Sequence, residues 1–235
     1  MRPARLIVYG RNPVYEALRG RRRVLEVWAT DRAAREPWLP AGTERAGPDE
    51  IEARCGSFEH QGVCAKVEPY PYAQAERLLE PEDALVVCLD EVQDPGNLGA
   101  ICRTAECTGA AGVVIPERRA AEVTPAVCRA SAGAVEHLAV ARTRNLADFL
   151  EHAKREGAWC YGATSDAGVP WTRPDFAGRV VIVLGAEGRG LRPRVSAACD
   201  ELVSLPLCGR VESLNVSATA AALLYEILRA RGHGG

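Results

Sequence analysis

Five polar residues carry the chemistry this chain could perform: Asn97, Arg103, Glu187, Ser213 and Asn215. They sit in three short stretches. The first is Asp94-Pro95-Gly96-Asn97-Leu98-Gly99-Ala100 with Arg103-Thr104-Ala105, and the second Leu184-Gly185-Ala186-Glu187-Gly188-Arg189-Gly190-Leu191. The third runs from Leu205-Pro206-Leu207 through Ser213-Leu214-Asn215-Val216-Ser217. Each is a polar or glycine-containing turn beside an apolar segment, where an α/β protein exposes backbone donors, acceptors and a few side chains to a ligand. Three such turns within about 120 residues predict one composite site.

Taken singly, each has a plainer reading. The glycine turn after Val180–Leu184 has the spacing G-x-x-G-x-G, not the dinucleotide fingerprint G-x-G-x-x-G, and no G-K-[ST] phosphate loop occurs. Glycine turns after strands are common, but a carboxylate between two glycines, Glu187, has little packing reason to be there. Asn97 at a helix start reads equally as a cap. Arg103 follows Ala100, Ile101 and Cys102; a half-buried guanidinium there needs an anion or several acceptors. One of Ser213, Asn215 and Ser217 can cap the last helix, but not all three.

The elements that must position these residues alternate in type. Continuous apolar runs at Ala84–Leu89, Gly112–Ile115 and Val180–Leu184 read as strands buried on both faces, with Leu138–Val140 and Trp159–Ala163 as further strands. Helices are predicted over Asn97–Thr108, Pro125–Ala132, Leu146–Glu156 and Val216–Arg231. Such alternation implies an α/β fold with a mostly parallel sheet. Ahead of it, a small α/β unit is expected over 1–70: a strand at Leu6–Gly10, a helix over Pro13–Leu18 capped by Asn12, and strands at Val24–Thr30 and Val63–Val67. The prolines at 69, 71 and 81 predict a linker over 71–84, leaving 85–235 as the second domain.

Composition excludes several classes. At 235 residues and 47% apolar, the chain can bury a sizeable core. It has no apolar run of membrane-spanning length, and Met1–Arg5 lack a signal peptide's apolar region, so a cytoplasmic protein is expected. The nine cysteines include no C-x-x-C pair and read as reduced thiols rather than metal ligands. Net charge is −2, yet 27 of the 29 basic residues are Arg, and residues 1–24 hold seven Arg against Glu16 alone. The cluster of Arg19, Arg21, Arg22 and Arg23, with Arg11, is therefore a candidate nucleic-acid contact.

Read together, the three stretches resemble the signature motifs of the SPOUT superfamily, in its SpoU/TrmH branch of RNA ribose 2′-O-methyltransferases. The resemblance covers residues 85–235 through D-P-G-N-x-G-A-x-x-R-T-A, G-A-E-G-x-G-L and S-L-N-V-S-A-T-A-A-A-L-L-Y-E. Tyr9–Leu18 and His60-Gln61-Gly62-Val63 resemble that family's ribosomal-protein (L30e)-like substrate domain. The resemblance implies a C-terminal deep trefoil knot, a homodimer with an active site shared across the interface, and S-adenosylmethionine as cofactor. It implies cofactor contacts at Gly185, Ala186, Gly188, Leu205, Leu207 and Leu214, and catalytic roles for Asn97, Arg103, Glu187, Ser213 and Asn215. The implied substrate is a guanosine ribose of 23S rRNA. A tRNA ribose and a non-catalytic RNA-binding scaffold are the alternatives.

Overall fold

The structure, a computed structural model, describes residues 6–166, 168–211 and 213–232; Met1–Arg5 and the last three residues, the outer ends of the two expected domains, lie outside them. The first unit comprises β1 (Leu6–Tyr9), α1 (Arg11–Arg19), β2 (Val24–Ala29), β3 (Glu44–Arg45), α2 (Pro48–Cys55) and β4 (Val63–Val67), its sheet ordered β1-β4-β2-β3. Asn12 is not the cap of α1. It lies inside the helix, which begins at Arg11 with Gly10 as its N-cap. The Gln61 side chain accepts the Arg11 amide at 2.8 Å, meeting the open helix end from outside.

Residues 71–84, the expected linker, carry ordered structure. β5 (Ala73–Gln74) adds a parallel strand to the edge of the second sheet, and a 3-10 turn over Ala75–Leu79 buries Ala75, Leu78 and Leu79. The prolines bracket this ordered piece, and its apolar residues, three to four apart, cover the sheet edge.

The second unit continues with β6 (Leu85–Asp90), α3 (Pro95–Cys107), β7 (Gly112–Pro116), α4 (Pro125–Ala130), β8 (Val140–Thr143), α5 (Leu146–Arg155), β9 (Trp159–Ala163), β10 (Val169–Pro170), β11 (Val180–Gly185), α6 (Pro193–Ala198), β12 (Glu201–Ser204) and α7 (Val216–Ala230). The eight strands, ordered β10-β12-β9-β11-β6-β7-β8-β5, pair in parallel throughout. The period-2 alternation of a strand divides its apolar run between two cores. Leu85, Val87 and Leu89 face α3, α4 and α7, while Val86 and Cys88 face α5 and α6. The close approach of α3 to α4 needs Gly99, where a Cβ would lie 2.4 Å from that of Ala130. Among the described residues no helix is long and apolar enough to cross a membrane.

The two units share one continuous apolar core. A buried ion pair pins them. Arg22 donates from Nε to Glu136 at 2.8 Å and from Nη2 to its other oxygen at 2.5 Å, both side chains being 1% exposed. The guanidinium also meets the Cys128 sulfur at 3.1 Å and the Tyr70 ring at 5.8 Å, and the Tyr70 hydroxyl donates to the Val135 and Leu138 carbonyls. Arg22 therefore leaves the expected RNA-contact cluster: it is a structural residue, and only Arg11, Arg19, Arg21 and Arg23 are exposed. Removing one partner strands the other charge in the core. Glu136→Ala is expected to cost about 3–5 kcal/mol and to lower the melting temperature by roughly 6–20 °C, at about 2–4 °C per kcal/mol for a chain of this size. Calorimetry checks this; a shift under about 2 °C would show the pair to be dispensable.

Candidate cofactor and substrate site

The motif turns gather at the carboxyl ends of the central strands, the edge where open α/β sheets bind ligands. α3 starts with Asp94 as its N-cap, whose Oδ1 accepts the Asn97 amide at 2.7 Å. Asn97 is thus not the cap, and its side chain is free for another task. Its Nδ2 donates to Glu187 Oε1 at 3.1 Å. Asn215 is the N-cap of α7: its Oδ1 accepts from the Ser217 amide at 2.8 Å and the Ser217 hydroxyl at 2.6 Å. From the other end of the same carboxamide, Nδ2 donates to Glu187 Oε1 at 2.5 Å and to Asn97 Oδ1 at 3.0 Å. Three residues from three turns, as far as 118 positions apart, close one hydrogen-bonded triangle.

The glycine loop after β11 is closed on itself. Gly190 donates to the Ala186 carbonyl at 2.9 Å, and Gly188 and Gly190 hold φ values of 73° and 63°, which glycine adopts without strain. A Cβ on Gly185 would lie 2.2 Å from the Gly190 carbonyl carbon and 2.5 Å from the Leu191 nitrogen, so backbone passes over backbone there. The loop's far end is anchored by Asp90, whose oxygens accept from the Arg192 amide at 2.8 Å and from its Nε at 2.7 Å. Asp90 is 1% exposed. The anchor lies outside the three motifs, and its sequence signal was an acid ending an otherwise apolar strand.

Beside this loop lies a cavity of about 790 Å³. Gly185, Ala186, Gly188, Leu205, Leu207 and Leu214 all line it, together with Glu187 and Ser213. Its size is that of a small-molecule site. The apolar leucines and the Cβ-free loop backbone suit a nucleoside-bearing cofactor, and Ser165, Asp166 and Thr219 add polar groups that no motif had marked. Ser165 and Asp166 follow β9, a position that strand-end logic alone could have nominated.

Arg103 stands apart. It is exposed on α3 rather than half-buried, and no ion pair or hydrogen bond meets it among the described residues. Six helical residues separate it from Asn97, a rotation of about 120° around the axis, and the two side chains leave the helix in different directions. Among the described residues no group of three or more His, Cys, Asp or Glu is placed to hold a metal ion.

Because the Gly185 contact is backbone on backbone, even a methyl group must part the loop. Gly185→Ala is expected to weaken binding of S-adenosylmethionine, the cofactor the resemblance implies, at least about tenfold. The core should stay folded. Titration calorimetry alongside circular dichroism tests this, and wild-type affinity would show that the loop does not shape the cofactor cavity.

Comparison with known proteins meets this geometry from outside. Residues 84–225 match the model of the SpoU rRNA Methylase family, and residues 7–73 match that of the RNA 2′-O ribose methyltransferase substrate-binding domain. YacO of Bacillus subtilis, which carries the name of a TrmH family tRNA/rRNA methyltransferase, is 38% identical over 237 aligned residues, 95% of each chain. The crystal structure of the SpoU methyltransferase AviRb from Streptomyces viridochromogenes, in complex with the cofactor AdoMet, superposes with a TM-score of 0.83 at 27% identity, covering 100% of this chain and 93% of that one. The TrmH/SpoU tRNA modifying enzyme of A. aeolicus superposes at 0.59 and 25% identity, covering 68% of this chain and 81% of that one. S-adenosylmethionine is accordingly the cofactor, and the chain belongs to the SpoU family of RNA 2′-O-ribose methyltransferases.

Proposed function

We propose that the chain methylates the ribose 2′-hydroxyl of a guanosine in 23S rRNA, as a cytoplasmic homodimer whose catalytic domain ends in a deep trefoil knot. The observation that carries the reading is the Asn97–Glu187–Asn215 triangle, whose carboxylate also lines the cofactor cavity. The L30e-like unit over residues 1–70, docked through a buried ion pair, supports a large structured RNA over tRNA; the A. aeolicus tRNA enzyme aligns with only 68% of the chain. Arg11, Arg19, Arg21 and Arg23 on that unit are its RNA contacts. The knot reading is supported by the path after β12. The chain leaves the far side of β9 and comes back across β11 and β6 to seat α7 against α3. A reducing compartment suits nine free thiols, with burial pushing Cys64 up to about 12 and Cys128 to about 11.

When bound, S-adenosylmethionine supplies a methyl group on a positively charged sulfur. The ribose oxygen would take that methyl group as the sulfur–methyl bond breaks and its pair stays on sulfur, and it must lose its own proton to solvent; a neutral alcohol is a poor nucleophile. A guanidinium stays protonated throughout the physiological range. Arg103 therefore acts as a cation that grips a phosphate beside the target and lowers the hydroxyl's pKa. Glu187, Asn97, Asn215 and Ser213 orient the ribose. Arg103 is exposed and turned away from Asn97, and Tyr225 and Leu214 are 54% and 46% exposed apolar side chains. Both facts support a dimer in which Arg103 reaches the partner's cavity.

Three experiments test this. Ribose-methylation mapping across rRNA and tRNA in a deletion strain is expected to lose one 23S guanosine mark; loss of a tRNA mark instead overturns the target. At limiting S-adenosylmethionine, Arg103→Ala and Gly185→Ala homodimers should both turn over poorly, and co-refolded mixtures should recover methyl transfer, since one site per heterodimer is intact. No recovery would place Arg103 in its own protomer's site. Arg103→Lys, which keeps charge but loses the fork, should lower kcat at saturating RNA by roughly tenfold or more; near-wild-type kcat would remove the phosphate-fork role.

A further inference from the structure

A second concavity, of about 400 Å³, lies on the same edge of the sheet as the cofactor cavity. Arg118 and Arg119 after β7, Arg144 after β8, and Arg192 and Arg194 at the start of α6 line it, with Glu91 after β6 as the one carboxylate. Five guanidinium groups converge there in a chain whose net charge is −2. Three of them have acidic neighbours: Arg192 pairs with Asp90 at 2.7 Å and Glu91 at 3.4 Å, Arg194 with Asp148 at 2.7 Å, and Arg119 with Glu91 at 3.5 Å. Arg118 and Arg144 have no such partner among the described residues, and both are exposed. Packing does not explain a cluster of charges that faces solvent.

Two further features mark the place. Glu91 and Arg119 hold φ values of 60° and 58°, the left-handed region that non-glycine residues keep only where their surroundings over-determine it, as they do at ligand sites. The cavity also shares a wall with the cofactor site: Leu191 and Ser196 line one side, and Arg192, Arg194 and Val195 the other.

We propose that this arginine-lined cavity binds backbone phosphates of the substrate RNA flanking the nucleotide offered for methylation. The proposal rests on the reading of the chain as an RNA ribose methyltransferase. Arg forks match phosphate oxygens two at a time, and a polyanion crossing this edge passes directly from the cavity to the methyl donor's site. The contact belongs to the catalytic unit and is separate from the arginines of the N-terminal unit. Arg118 and Arg144 are the open cations, and Arg119 and Arg192, held by Glu91 and Asp90, form the fixed rim.

The test uses the full-length Arg118→Ala/Arg144→Ala double variant. Filter binding of labelled total rRNA and bulk tRNA between 50 and 300 mM KCl should show about tenfold weaker binding at 100 mM, and a salt slope smaller by roughly 1–2. Affinity for S-adenosylmethionine and the melting temperature should not change, and Arg118→Lys/Arg144→Lys should recover most of the slope. Wild-type RNA affinity and slope in the alanine variant, with wild-type protein methylating RNA in the same assay, overturns this proposal alone. So does inorganic pyrophosphate binding that the variant loses while RNA affinity stays intact, which would make the cavity a small-anion site. Wild-type protein that neither binds nor methylates RNA overturns the methyltransferase reading and this proposal together.

Discussion

One carboxamide, that of Asn215, joins the cap of the last helix to the two turns that precede it in the chain. Its oxygen satisfies amides at the start of α7, and its nitrogen ties Glu187 to Asn97. Only a side chain that accepts at one end and donates at the other can do both. Aspartate would cap as well but set a second carboxylate against Glu187, and serine would cap without a second reach. The position of Glu187 at the cavity wall follows from this bond and from the Asn97 amide group, itself freed for the purpose because Asp94 caps α3.

The glycine loop depends on a second constraint, contact without side chains. Gly185 lies against the backbone of Gly190 and Leu191, and Asp90 holds Arg192 just beyond. The loop is clamped at both ends by contacts within the chain. Preorganisation of this kind lowers the ordering cost of binding. The clamp also sets the boundary between two cavities, one lined by leucines and glycines, the other by arginines.

The N-terminal unit is held to this framework by a shared apolar core and by the Arg22–Glu136 pair. A pair so fully buried contributes orientation more than net stability, because desolvation offsets most of its attraction. Three adjacent arginines in sequence meet two different environments: Arg21 and Arg23 are exposed, and Arg22 is turned inward onto Glu136. No composition rule separates them, since the separation depends on a residue 114 positions away.

The sequence by itself determined the alternation of strands and helices, since the apolar runs at 85–89 and 180–184 can only be satisfied between two helical layers. It also nominated the three turns that the fold brings to one edge of the sheet, because three motifs with fixed internal spacing carry more information than any turn alone. Short elements were not legible. β5, β10, β12 and α6 are two to six residues long, too short for periodicity to register, and the edge role of 71–84 was hidden by its prolines. Tertiary structure alone decided which polar residue caps and which reaches across, that Arg22 is buried, that Asp90 clamps the glycine loop, and that five arginines meet in one cavity. The reason is common to all four. A side chain's partner in each case comes from another part of the chain, and local sequence carries no record of that distance.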